Sequence, residues 1–195
     1  MPGEIEFVET SELPGPHVEA AAQLACLAFE DFYALFTSRQ DRLLAAVADQ
    51  FRSYSELNQL VAVLGGGRVV GIGSYYALAE MPARQMAGAR ILFEAANDPA
   101  LSATSLRRFS RNFTPPGDDG AYISRFAISV DKRGSGLAGQ LLQEVEKVIR
   151  RRELTKVLLH VRRDNERALA FYSKAGYRPE DKGDLGYVLL GKDLG

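Results

Sequence analysis

A chain of 195 residues with 46% hydrophobic content is long enough for one well-buried domain and too short for two large ones. Its 24 basic and 25 acidic residues leave a formal net charge of -1, which excludes a global field that would recruit nucleic acid or an anionic membrane. One cysteine and two histidines exclude an internal disulfide and a metal cluster of recognisable spacing.

Met1 to Pro16 contains E-I-E-F-V-E-T, whose alternation puts Ile5, Phe7 and Glu9 on one face of an edge strand. His17 to Ala34 reads as a first helix, with Cys26 a small buried hydrophobe inside its apolar run. Glu30 and Asp31 then fall at that helix's C-terminal end, where carboxylates oppose the dipole; they read as a solvated turn or as an ammonium-recognising lip. Leu43, Leu44, Val47 and Phe51 give Asp41 to Tyr54 the stripe of a second helix, capped by Ser38 or Asp41.

The period then becomes extended. Gln59 to Leu64 and Arg68 to Leu78 read as a hairpin turned at Gly65-Gly66-Gly67, with Gly71 and Gly73 marking a bulge or the close approach of another backbone. From Met81 to Asp119 two helices are expected, Ala83 to Ala96 and Ser102 to Phe109, closed by Pro115-Pro116-Gly117. Arg84, Arg90, Arg107, Arg108 and Arg111 make this segment either a solvated surface or an acceptor wall, or lid, that favours a carboxylate or phosphate.

The chain's most informative stretch is F-A-I-S-V-D-K-R-G-S-G-L-A-G, Phe126 to Gly139. A strand, Ala121 to Val130, runs into a glycine turn that opens a helix with Leu137, Leu141, Val145 and Val148 on one face. Gly134, Gly136 and Gly139 clear side chains from the helix's first turn, whose unpaired N–H groups form a diphosphate cradle. The string G-x-G-x-x-G also fits a dinucleotide fingerprint, but too little chain follows it to complete that fold. A short strand, Lys156 to Val161, comes next, then N-E-R-A-L-A-F-Y-S-K-A-G-Y from Asn165 to Tyr177, and a last strand at Gly186 to Gly191.

Arg133-x-x-Gly136-x-Ala138 resembles the R/Q-x-x-G-x-G/A signature of the Gcn5-related N-acetyltransferases, and Asn165, Ala168, Tyr172, Gly176 and Tyr177 are in register with that family's N-x-x-A-x-x-x-Y-x-x-x-G-F/Y segment. The two motifs cover roughly the C-terminal third of the chain; Val130 departs from a proline common in the family. The resemblance implies one α/β domain over residues 1–195: a mixed, mostly antiparallel sheet with a splayed parallel strand pair and flanking helices. It implies direct transfer of an acetyl group from acetyl-CoA to a primary amine, with no metal. The alternatives are a catalytically silent acyl-CoA-binding module and, more remotely, a dinucleotide-binding protein.

The same resemblance assigns roles. Phe126, Ala127 and Ile128 meet the acetyl and pantetheine groups through their backbone, Arg133, Gly134, Ser135, Gly136, Leu137, Ala138 and Gly139 receive the diphosphate, and Asn165 lies against the cofactor arm unless it is an ordinary helix cap. Tyr172 is the acid for the leaving thiolate. His160 stands where some members carry a proton-accepting glutamate; an amine near pKa ~10.4 costs about 4 to 5 kcal/mol to deprotonate at neutral pH, and an imidazole near ~6.5 is available as a base. With no signal peptide or apolar span in the sequence, a cytoplasmic enzyme is expected, compatible with a homodimer, acting on a small-molecule or peptide amine.

Overall fold

A computed structural model describes residues 4–111, 113, 116–117, 119–183 (backbone alone at 181–183) and 186–195. Strand β1 (Ile5–Thr10) lies at one edge of the sheet, as its alternation predicts, paired antiparallel to β2 (Leu60–Gly65). Helix α1 (Gly15–Ala28) stops earlier than its pattern suggests. Phe29 leaves helical geometry at φ -130°, and a separate turn, α2 (Glu30–Tyr33), begins. The break puts Glu30 and Asp31 in an N-terminal first turn, where the helix dipole favours them.

Helix α3 (Gln40–Arg52) starts from Arg39 with no side-chain cap, so neither Ser38 nor Asp41 plays that part. Thr37 Oγ1 accepts the Arg39 N–H at 3.0 Å instead, and Asp41 pairs with the Arg39 guanidinium at 2.8 Å. The hairpin to β3 (Arg68–Ala77) turns at Gly66 and Gly67, both at positive φ, where glycine carries no steric penalty. A bulge does fall beside Gly71, where the register with β2 shifts between Val63 and Leu64, and the close approaches at Gly71 and Gly73 are to side chains: a Cβ would lie 2.6 Å from Ile128 Cδ1 at the first and 2.6 Å from Val145 Cγ2 at the second.

The two expected helices follow as α4 (Met81–Ala95) and α5 (Pro99–Ser110), the latter capped by the Asp98 carboxylate on Leu101 N–H at 3.0 Å. Pro115, in the turn expected to close the segment, lies outside the described residues. Strand β4 (Ala121–Ile128) leads through the glycine turn into α6 (Leu137–Arg151), followed by β5 (Lys156–Arg162) and α7 (Glu166–Lys174). The chain then adds β6 (Arg178–Gly183), which the sequence reading lacks, and β7 (Tyr187–Asp193).

The sheet order is β1-β2-β3-β4-β5-β7-β6, antiparallel except for β4 and β5. One face packs on α1 and α3 through Val18, Ala22, Val47 and Phe51 against Leu60, Ala62 and Ile72. The other packs on α6 through Leu141, Val145 and Val148 against Val63, Ile123 and Val157. Each such side chain contributes about 1.5–3 kcal/mol when fully buried.

Candidate active site at the parting of two strands

Strands β4 and β5 share only two residue pairs among the described residues, Ala121 with Val157 and Tyr122 with Leu158, before they diverge. On its other side β4 stays paired to β3 as far as Ile128. One edge of β4 is therefore open from Ile123 onward. Ser129 N–H donates to Val70 O at 2.9 Å on the β3 side. Because successive strand residues alternate sides, the Ala127 amide faces β3, and those of Phe126 and Ile128 face the open edge.

The open edge runs into the glycine turn. Gly134 and Gly136 lie at φ 83° and 84°, and a Cβ added at Gly134, Gly136 or Gly139 would meet nothing within 4 Å. These glycines are kept for conformation and for clear space outside the turn rather than for internal packing. Gln140 is the first residue of α6 whose N–H reaches a helical acceptor, Gly136 O at 3.3 Å. Leu137 N–H meets Ser135 Oγ at 3.4 Å, and the amides of Gly136, Ala138 and Gly139 donate to no acceptor among the described residues. With the positive end of the α6 dipole behind them, they suit a polyanion such as a diphosphate. Arg133 is exposed beside them, while Leu137 is buried and anchors the helix to the core.

Asn165 caps α7, its Oδ1 accepting the Ala168 N–H at 3.1 Å. Two turns beyond this cap, the buried Tyr172 ring meets Phe126 edge-to-face, centroids 6.1 Å apart, so the helix delivers a phenol to the open stretch of β4. Burial, with a smaller contribution from Tyr122, pushes this phenol well above its ordinary range and keeps it protonated.

His160 is on the opposite face of the sheet. Its Nδ1 is 2.9 Å from Tyr122 Oη, and its ring meets Phe113 edge-to-face at 4.8 Å. Asp31 forms an ion pair with Arg162 at the rim of this face, and Arg162 also holds Asp164 at 2.6 Å. Glu30 is exposed. Cys26 lies in the core, its thiol pushed up to about 11 by burial, in keeping with an inert packing residue. Among the described residues no group of His, Cys, Asp and Glu is arranged to hold a metal ion.

The sequence reading missed a buried polar cluster beneath α4. Arg84 is 7% exposed and donates to Glu80 Oε2 (2.6 Å), Ser55 O (2.8 Å), Asn58 Oδ1 (2.7 Å) and Gln59 Oε1 (3.3 Å). It is the one inward-facing member of the arginines singled out in the 81–119 segment, and its donors are spent within the protein. Nearby Glu56 is 6% exposed; Oε1 accepts from Gln50 Nε2 at 3.2 Å. Burial pushes its carboxyl above the ordinary 4.5, opposed in part by Arg125 and Arg84. Arg125 projects from β4 on the same face. An isolated arginine in the apolar run I-S-R-F-A-I was the available signal.

A model of the acetyltransferase (GNAT) family matches residues 22–177. The fold superposes on an N-acetyltransferase from Staphylococcus aureus Mu50 with TM-score 0.71 and 19% identity, covering 96% of this chain and 100% of that one. PaiA N-acetyltransferase from Thermoplasma acidophilum in complex with coenzyme A gives TM-score 0.59 at 15% identity, covering 97% and 99%. A GNAT family acetyltransferase from Elizabethkingia anophelis with acetyl-CoA bound gives TM-score 0.55 at 15% identity, covering 97% and 98%. A search of curated protein sequences finds no match. At these identities the structural likeness concerns the fold; the family match spans most of the chain. With the splayed strands and the glycine turn, it establishes that the chain belongs to the acetyltransferase (GNAT) family.

Proposed function

We propose that this protein moves the acetyl group of acetyl-CoA to a primary amine by direct attack in a ternary complex, acting as a single catalytic unit over residues 1–195. The observation that carries this reading is the coincidence of two features along one stretch of chain: β4 loses its β5 partner from Ile123 onward, and eleven residues beyond that position, at Gly134, the chain enters a turn whose Gly136, Ala138 and Gly139 amides donate to nothing among the described residues. A long, extended acyl carrier with a diphosphate at its far end fits that order of donors. The amides from Gly134 to Gly139 take the diphosphate, with Arg133 beside them, and Ser135 and Ala138 complete the turn. Asn165 can donate from its Nδ2 to the carrier's arm while its Oδ1 caps α7.

At the reacting end, the Phe126 or Ile128 amide donates to the oxyanion that develops on the acetyl carbonyl, a contribution worth about 10²–10³ in rate where it has been removed elsewhere. Tyr172 supplies the proton to the departing thiolate; burial keeps the phenol protonated while making it a weaker donor, so its assistance is modest. His160 accepts the amine's proton from the opposite face. This role requires the tautomer in which Nδ1–H donates to Tyr122 Oη and the lone pair of the neutral imidazole is at Nε2.

The test is release of free coenzyme A thiol from acetyl-CoA in the presence of a panel of primary amines. Stimulated release with at least one amine, and recovery of its N-acetylated product, is expected. Tight acetyl-CoA binding with no stimulated release by any amine would favour a binding module over an enzyme.

A further inference from the structure

Arg125 is held on the amine-acceptor face in a way that differs from Arg84. Its guanidinium lies over the rings of Phe29 (4.8 Å), Phe32 (4.9 Å) and Tyr33 (5.6 Å). Nη1 donates to Ser124 O at 2.8 Å, whereas Nε, although buried, donates to nothing among the described residues. No protein acceptor among them takes Nη2 either. Three more buried polar atoms have no partner among the described residues, Tyr33 Oη, Tyr76 Oη and Glu56 Oε2, and all three side chains interact electrostatically with Arg125. Tyr33 and the buried Glu56 both lie close enough to raise the guanidinium's pKa against burial, with the Tyr33 hydroxyl facing it, yet Nε itself and Tyr33 Oη remain without a well-formed hydrogen bond.

A guanidinium kept for the fold alone is expected to be satisfied, as Arg84 is a few residues away in space. Leaving buried donors unmade is costly, and the Nε and Nη2 atoms together form the flat two-donor edge that matches a carboxylate. The position fits an acceptor. Arg125 directly precedes Phe126, so an anion on its edge sits beside the acetyl position, within a few bonds of an attacking amine. Tyr122 and Tyr187 lie within electrostatic range of Arg125, and Tyr122 Oη is 2.9 Å from His160 Nδ1. The outer wall is aromatic, with Phe109 and Phe113 against Tyr187 at 5.8 and 4.4 Å.

Building on the acetyltransferase reading, we infer that Arg125 binds the carboxylate of the acceptor, which is an amino acid with an apolar side chain rather than a polyamine. The ring wall takes the apolar body, and the amine faces β4.

The experiment compares kcat/KM for L-phenylalanine, L-leucine and L-methionine with their amides and with spermidine, in the wild-type protein and in Arg125→Gln. The amides have the more readily deprotonated amine, so a preference for the acids runs against intrinsic reactivity. The wild type is expected to favour at least one acid over its amide by about 10-fold or more, and the substitution should bring that ratio near one, chiefly through KM. Arg125→Lys, which keeps the charge and loses the flat edge, should fall between. Melting temperature and acetyl-CoA affinity, measured calorimetrically on each variant, should stay near wild type. A ratio unchanged by Arg125→Gln, a preference for amides or spermidine, or no turnover of the acids by a protein that acetylates other amines would overturn the assignment. Failure of the wild type to bind acetyl-CoA would instead strike the acetyltransferase reading on which it rests.

Discussion

Tyr122 Oη and His160 Nδ1 stand 2.9 Å apart and tie the last paired residue of β4 to a residue two positions beyond its β5 partner, Leu158. This contact spans the mouth of the opening and selects the imidazole tautomer. If the tyrosine accepts from Nδ1–H, the ring presents a lone pair to the acceptor side; if it donates, Nε2 carries the hydrogen and the ring is no base. His160→Ala should depress the rate at neutral pH by about 10²-fold and much less at high pH, where the amine deprotonates unaided. Tyr122→Phe should retain the fold and lose several-fold in kcat by freeing the tautomer. A pH–rate profile that His160→Ala leaves unchanged would remove the imidazole from the mechanism.

Tyr172→Phe should lower kcat by about 3- to 10-fold, since a thiolate is a good leaving group and the acid's assistance is modest. The ring contacts with Phe126, Phe171 and Tyr177 are kept in the variant, so its melting temperature should stay near wild type. Single-turnover rates with a bound amine check this, and a variant as fast as the parent would exclude the phenol as the acid.

Glu56 makes stability depend on pH in a direction that can be worked out. Burial raises its folded-state pKa above 4.5, so the folded protein holds the proton longer than the unfolded chain does. Its contribution to stability is greatest below 4.5 and is lost as pH rises through the folded-state value. Glu56→Gln removes that loss. The melting temperature of the variant relative to wild type should therefore rise from pH 4 to pH 8; a difference that falls over this range would mean that the carboxylate is stabilised in place by its neighbours.

Gly88 on α4 lies directly over the same carboxylate: a Cβ there would collide with Glu56 Oε2 and come within 2.9 Å of Gln50 Nε2. Gly88→Ala gains helix propensity on paper. The collision should outweigh it and destabilise the protein by about 1–3 kcal/mol, measurable by denaturant unfolding.

The sequence carried the glycine turn, the hairpin and the helix after Asn165 because each rests on local chemistry: positive-φ glycines, period-2 alternation, a capping side chain. It hid what depends on distant partners. The stretch Arg178-Pro179-Glu180 carries no strand signal, yet it opens β6, since an edge strand tolerates proline and charge. The apolar period of α1 continues through Phe32 and Tyr33, so the break at Phe29 leaves no trace in the pattern. Glu56, Gln50 and Arg125 belong to no motif, and nothing in their spacing shows that three polar side chains meet on one face of the sheet.

The central claim is that the open edge of β4 and the turn at Gly134 to Gly139 together receive acetyl-CoA. Calorimetric titration of the wild-type protein and of Gly136→Val with acetyl-CoA and with NADPH tests it most directly. Because Gly136 is at φ 84° and faces open space, the valine costs about 1–2 kcal/mol of backbone strain and obstructs the cradle without breaking a packing contact. Stoichiometric binding of acetyl-CoA to the wild type, weakened at least 10-fold in the variant, with no binding of NADPH, is the predicted result. Tight NADPH binding without acetyl-CoA binding would contradict it.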